Sequence, residues 1–184
     1  MLPSGARVGF YDDRLRRRFL REKELEDRFP HALANGEFHM YLQPKVALPE
    51  RRIVGAEALV RWISPEGMLC PNEFVPLFER DGVIAELDFY MFCQVCALLK
   101  RWEREGRPLF CVSVNVSRSN FDVSDFFARY ERHIAENQVP ARYLEFEFTE
   151  SVVFDRTDEI NQVIRRIHAL GARCSMDDFG SSYS

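Results

Sequence analysis

What this sequence lacks narrows its function before any motif is read. No apolar run reaches the roughly 20 residues of a membrane-spanning helix, and the opening MLPSGARVGF has no apolar stretch of the secretory-signal kind. The expectation is a cytoplasmic chain. There is no excess of positive charge. Against 25 Lys and Arg stand 29 Asp and Glu, a net charge of −4, which argues against a binder of nucleic-acid polymers. A small phosphate ligand held through metal ions is still compatible with that balance. No Gly-rich phosphate loop is present. The five cysteines are odd in number: Cys70, Cys93, Cys96, Cys111 and Cys174. These lie mostly in apolar segments, as reduced and buried thiols do. Cys93 and Cys96 make a lone CxxC inside an apolar, helix-like stretch, so structural zinc is not expected. His31, His39, His133 and His168 show no metal-type pairing.

What is there suits a globular core: 184 residues, 46% hydrophobic and 29% charged. Residues 11–29 are mostly charged, with Leu and Phe interspersed, and read as a solvated, weakly amphipathic connecting helix. Beyond it, strand-like and helix-like stretches alternate. EFHMYLQPKVAL and RIVGAEALVRW read as strands, and NEFVPLFER as a short helix with Asn72 as its cap. IAELDFYMFCQVCALLKRWEREG is a long helix closed by Gly106. Strand LFCVSVNVS, helix VSDFFARYERHIAENQ, strand YLEFEFTE, helix RTDEINQVIRRIHALG and strand RCSMDDFG follow, the last helix ending at Gly171. The alternation predicts βα units, a parallel sheet and the α/β class.

The strands are not uniformly apolar, as doubly covered parallel strands usually are. Val112, Val114 and Val116 share one face, while Ser113, Asn115 and Ser117 share the other. Leu144, Phe146 and Phe148 alternate with Glu145, Glu147 and Thr149. Gly55, Glu57, Leu59 and Arg61 alternate with Ala56, Ala58, Val60 and Trp62, and Ser175 and Asp177 oppose Cys174 and Met176. Asn115, Glu147 and Asp177 recur at intervals of 32 and 30 positions, about one βα unit each. They are therefore expected at equivalent levels near the C-terminal ends of successive strands, where α/β sheets and barrels place their sites. Carboxylates about 4 Å apart repel by about 4 kcal/mol at an effective dielectric of about 20. Protonation, a basic partner or a divalent cation could offset that. Glu57, Asn115, Glu147 and Asp177 form an all-oxygen set that suits Mg2+ or Mn2+. Asp178, next in sequence, can reach a second ion while Asp177 bridges both, the geometry of a two-metal phosphoryl clamp.

In order and spacing, YLQPKV, GAEALVRW, VNVS, EFTE and DDFG resemble the EAL family of cyclic di-GMP phosphodiesterases, whose naming tripeptide is Glu57-Ala58-Leu59 here. The resemblance runs from about residue 37 to the end. It implies a modified, TIM-like (β/α)8 barrel that hydrolyses cyclic di-GMP to the linear dinucleotide with Mg2+ or Mn2+. It implies that Glu57, Asn115, Glu147 and Asp177 bind the first metal, and Asp177 and Asp178 the second. Gln43 and Arg61 would contact the dinucleotide. Glu150 would brace the loop after Asp178, through which the metals and a dimer communicate. The segment VGFYDDRLRRR is similar to the junction after a GGDEF domain, so residues 1–36 are expected to be a linker helix following such an upstream domain. Residues 37–184 would then be the N-terminal part of an EAL domain.

Two departures from the family pattern carry expectations of their own. Ser182 stands where the family commonly has Gly, which bears on loop dynamics. A full barrel takes about 250 residues, and five strand candidates out of eight are present. The family's active-site Lys and the Glu after it are not among them. The expectation is an incomplete barrel with little or no turnover by itself. Its last strand would be an open edge that favours a homodimer or larger oligomer. A cyclic di-GMP receptor without catalysis and an oligomerising scaffold are the alternative functions.

Overall fold

The computed structural model describes residues 13–149, 152 and 156–177. Helix α1 (Asp13–Ala34) begins solvated, with Arg18–Glu22 and Lys23–Asp27 ion pairs one turn apart. Its second half is amphipathic. Leu25, Phe29 and Ala32 repeat at helical spacing and are buried. The Phe29 ring lies 4.6 Å from Phe78 and 5.8 Å from Phe38. The expected exposed connector thus becomes part of the core over its last turns, because a sparse apolar stripe is enough when it meets aromatic partners.

Strands β1 (Phe38–Ala47) and β2 (Arg52–Ser64) form an antiparallel hairpin, with Gln43 opposite Glu57 and Lys45 opposite Gly55. Strand β3 (Gly67–Leu69) folds back on β2, also antiparallel. The expected parallel sheet thus starts from an antiparallel hairpin. Only residues 48–51 link β1 to β2, and a parallel crossover needs about a dozen residues or more. After α2 (Pro71–Arg80) and α3 (Ile84–Arg104), strand β4 (Cys111–Val116) pairs parallel with β2. Helix α4 (Phe127–Glu136), β5 (Leu144–Thr149), α5 (Thr157–Ala169) and β6 (Arg173–Asp177) complete two βα units, both parallel. The sheet order is β1-β2-β4-β5-β6 with β3 on β2, and the described strands do not close on themselves.

Local chemistry sets the boundaries. Helix α2 starts at Pro71, whose fixed φ suits a first helical position. Glu73 reaches back to accept the Cys70 N–H at 2.9 Å. Asn72 is therefore inside the helix and is not its cap. Gly171, at φ +79°, ends α5 in the left-handed region. At Gly55 a Cβ would sit 2.9 Å from the Cys111 carbonyl oxygen, so only glycine lets β2 and β4 pair there.

The strand faces divide as the alternation predicts. Val112, Val114, Val116, Leu144, Phe146 and Phe148 are at most 2% exposed and pack under the helices. Phe92, Val95 and Leu99 of α3, Tyr130 of α4 and Ile167 of α5 join them in one cluster. Phe38, Trp62, Phe74 and Phe78 form a second cluster with the end of α1. Each such burial contributes about 1.5–3 kcal/mol. These faces commit the helices to one side of the sheet and leave the carboxylate-bearing face on the other.

Candidate metal centre

On that other face, β2 carries Glu57, β4 Asn115, β5 Glu147 and β6 Asp177. Asn115 lies directly opposite Glu147. Glu57, however, is opposite Ser113, and Asp177 is opposite Thr149. The equal-level expectation holds for one pair, and the others step by two residues, one pleat each. A shift of two keeps side chains on the same face, and such a stagger is what tilted strands in a closing sheet produce. The side chains still converge. Carboxylate oxygens of Glu57, Glu147 and Asp177 lie within 4.8 Å of one another. The Asn115 amide donates to Glu57 Oε1 at 3.2 Å.

A fifth participant was not foreseen. Lys45 Nζ donates to Glu147 Oε1 at 2.6 Å and lies 3.9 Å from a Glu145 oxygen. The signal was present in the strand alternation, since Lys45 is two residues past Gln43 and shares its face.

Glu147 is 7% exposed, and its Oε2 is buried without a hydrogen-bond partner. Burial pushes the Glu57 carboxyl above its ordinary value. The Asn115 hydrogen bond opposes this, and the charges of Glu147 and Asp177 add to it. For Lys45, burial works against the charge. The hydrogen bond to Glu147 and the fields of Glu147, Glu145 and Glu57 outweigh it, so its pKa is raised. Two carboxylates 4.8 Å apart repel by about 3 kcal/mol at an effective dielectric of about 20. One ammonium does not neutralise three of them. Unbalanced negative charge, an all-oxygen donor set and a buried unpartnered carboxylate oxygen fit a hard divalent cation.

Beside the cluster opens a cleft of about 640 Å3 whose lining includes Leu59, Arg61, Asp88, Asn115, Glu147 and Asp177. The Arg61 guanidinium sits 5.6 Å over the Tyr41 ring and donates to the Val60 carbonyl at 2.7 Å. Gln43 is exposed, opposite Glu57 in the hairpin and outside that lining. Asp88 was also not foreseen as a wall residue, because an acid within an apolar helix carries no periodic signal. Asp178, Glu150 and Ser182 lie outside the described residues. Of the CxxC pair, Cys96 is buried and Cys93 half-buried, both as free thiols. Among the described residues no helix is long and apolar enough to cross a membrane.

The sequence and fold are similar to those of known proteins. A cyclic di-GMP phosphodiesterase of Pseudomonas aeruginosa is 36% identical over 148 residues, covering 80% of this chain and 25% of that protein. The cyclic di-GMP phosphodiesterase NbdA of the same organism is 30% identical over 176 residues, covering 95% of this chain and 22% of its own length. The chain thus spans about a quarter of the length of these relatives. Among solved structures, the PaMucR phosphodiesterase in complex with cyclic di-GMP superimposes with a TM-score of 0.80 at 28% identity, covering 88% of this chain and 66% of that one. An EAL enzyme bound to cAMP and cyclic di-GMP gives a TM-score of 0.77 at 28% identity, covering 93% and 50%. The architecture is accordingly the TIM-like α/β barrel of these neighbours, with its sheet open among the described residues. The EAL domain model matches residues 26–184, from within α1 through every described strand, and the chain belongs to the EAL domain family.

Proposed function

We propose that this chain carries the N-terminal part of a metal-dependent cyclic di-GMP phosphodiesterase site. The observation that carries the reading is the meeting of Glu57, Glu147 and Asp177 within 4.8 Å, with one Glu147 oxygen buried and unpartnered. Glu57, Asn115, Glu147 and Asp177 would hold a first Mg2+ or Mn2+, and Asp177 with Asp178 a second. When bound, such ions supply the Lewis acidity that polarises a phosphoryl oxygen and acidifies a water. The chain's own residues do the rest. Lys45 fixes Glu147 Oε1 and leaves Oε2 without a hydrogen-bond partner. Asn115 restrains Glu57 through its amide. Arg61, at the cleft wall, suits a phosphate oxygen by charge and by the planar fork of its guanidinium. Gln43, on the hairpin strand opposite Glu57, suits a hydrogen bond to the dinucleotide. The exposed, Arg-rich start of α1 suits a connector to an upstream GGDEF-type domain, and the β6 edge, unpaired among the described residues, suits pairing with further chain or a second copy.

The test is chromatographic assay of cyclic di-GMP incubated with the full-length protein and Mg2+ or Mn2+. Linear dinucleotide is expected, and Glu57→Ala should abolish it. Binding without turnover would select the receptor reading, and neither binding nor turnover would contradict both. The 184-residue chain alone is expected to turn over little or no substrate.

A further inference from the structure

We infer that Asp88 is a positioning residue for the metal centre: it pins the chain where β4 ends, and so holds Asn115 against Glu57. This rests on the metal reading above.

Strand β4 is held unevenly along its two edges. Its pairing with β2 runs only from Gly55–Cys111 to Glu57–Ser113. Its pairing with β5 continues to Val116–Phe148. Asn115 therefore lies on a stretch supported by a ladder on one side only. A strand end held on one edge is free to twist unless its exit is anchored.

The anchor comes from α3. Asp88 is 8% exposed, and its Oδ2 accepts both the Ser117 N–H and the Asn120 side-chain amide, each at 2.8 Å. The same Asn120 amide donates to the Ser117 carbonyl at 3.1 Å, and the Asn120 N–H reaches that carbonyl at 3.1 Å. Ser117, two residues past Asn115, is thus held at both its N–H and its C=O. Asn120 is fully buried and is itself fixed, accepting from Arg129 Nη2 at 3.2 Å and the Tyr130 hydroxyl at 3.3 Å. The chain α3–Asp88–Ser117 ties the strand end to the helical layer. Asp88, Ser117, Arg118 and Ser119 also line the same cleft as Asn115, Glu147 and Asp177.

A carboxylate is costly to bury. Burial pushes the Asp88 carboxyl up to about 6 despite the Ser117 and Asn120 hydrogen bonds. An acceptor that takes two N–H groups on one oxygen, with charge assistance, is the gain that offsets this. An amide side chain of the same shape keeps an oxygen there.

The experiment is equilibrium binding of Mn2+ to the full-length chain at pH 7.5, read by electron paramagnetic resonance of free Mn2+. It compares the parent with Asp88→Ala, Asp88→Asn and Leu99→Ala. Leu99 is buried on the far part of α3 and serves as a control for general destabilisation. Asp88→Ala should weaken Mn2+ binding at least 10-fold. Asp88→Asn should stay within about 3-fold of the parent, and Leu99→Ala should leave the affinity unchanged. If Asp88→Ala does not fold, Asn120→Ala removes one arm of the anchor and must show the same loss against the same control. Parent-like affinity in the folded anchor variant, or an equal loss in Leu99→Ala, overturns the inference. No Mn2+ binding by the parent would instead overturn the metal reading, and this inference with it.

Discussion

Removing the Lys45 ammonium tests the electrostatics of the centre without touching a proposed metal ligand. In Lys45→Met the aliphatic stem is kept and the charge is lost. At 2.6 Å from Glu147 Oε1, the attraction at an effective dielectric of about 20 is about 6 kcal/mol before desolvation is counted. Breaking a buried pair by removing one partner costs about 3–5 kcal/mol, because the remaining charge is left uncompensated. The Lys45 side chain is 39% exposed and that of Glu147 only 8%. Solvent screens the lysine end, so we expect a loss of about 1–3 kcal/mol in unfolding free energy without divalent cations. The informative comparison is with metal. A ligand that binds only the native state stabilises it by RT ln(1 + [L]/Kd). A divalent cation at the cluster would compensate the charge that Lys45 no longer does. Millimolar Mn2+ should therefore raise the melting temperature of Lys45→Met by more than it raises that of the parent. The assay is thermal or denaturant unfolding in EDTA and in Mn2+. The reasoning is refuted if Lys45→Met is as stable as the parent in EDTA. It is equally refuted if Mn2+ stabilises neither protein.

Three further outcomes follow from the same geometry. Glu57→Gln removes a carboxylate whose burial and neighbours already disfavour its charge. The variant should be at least as stable as the parent in EDTA and should lose the Mn2+ stabilisation, by the same unfolding assay. Asp88 sits at about 6 in the folded chain against an ordinary 3.8. Glu79 adds negative charge beside it, and Arg129 and Tyr130 face it through Asn120. Its contribution to stability is full below pH 3.8 and is lost as pH rises through 6, a fall of up to about 3 kcal/mol. Denaturant unfolding from pH 4 to 7 should show that fall in the parent and a correspondingly flatter profile in Asp88→Asn. Gly55→Ala forces a Cβ against the Cys111 carbonyl. It should cost about 1–3 kcal/mol and reduce Mn2+ binding by parting β2 from β4, both measurable by the same assays.

The period-2 alternation made the sheet faces legible, because one face of each strand had to meet apolar helices. Val112, Val114 and Val116 did so, and their neighbours Ser113 and Asn115 were left on the other side. Glu57, Asn115, Glu147 and Asp177 were legible for the same reason, as polar groups late in strand-like runs. The direction of β1 was not legible from composition. It follows from the shortness of the link at 48–51. The staircase of Glu57, Asn115 and Asp177 was hidden because sequence intervals count loop and helix residues together with strand displacement. Lys45 carries no distinguishing signal beyond its strand face, because a lysine in a half-exposed strand ordinarily reads as a surface group. Asp88 was hidden for a different reason. Its partners Ser117 and Asn120 lie 29 and 32 residues away, and only the packing of α3 on the end of β4 joins them. The buried face of α1 was obscured by the charges around Leu25 and Phe29.

The most direct test of the central claim is anomalous diffraction from crystals of the protein grown or soaked with Mn2+. A strong peak at about 2.1 Å from oxygens of Glu57, Asn115, Glu147 and Asp177 is the result this account predicts. An anomalous map with no peak there, and those carboxylates unchanged around Lys45, would contradict it.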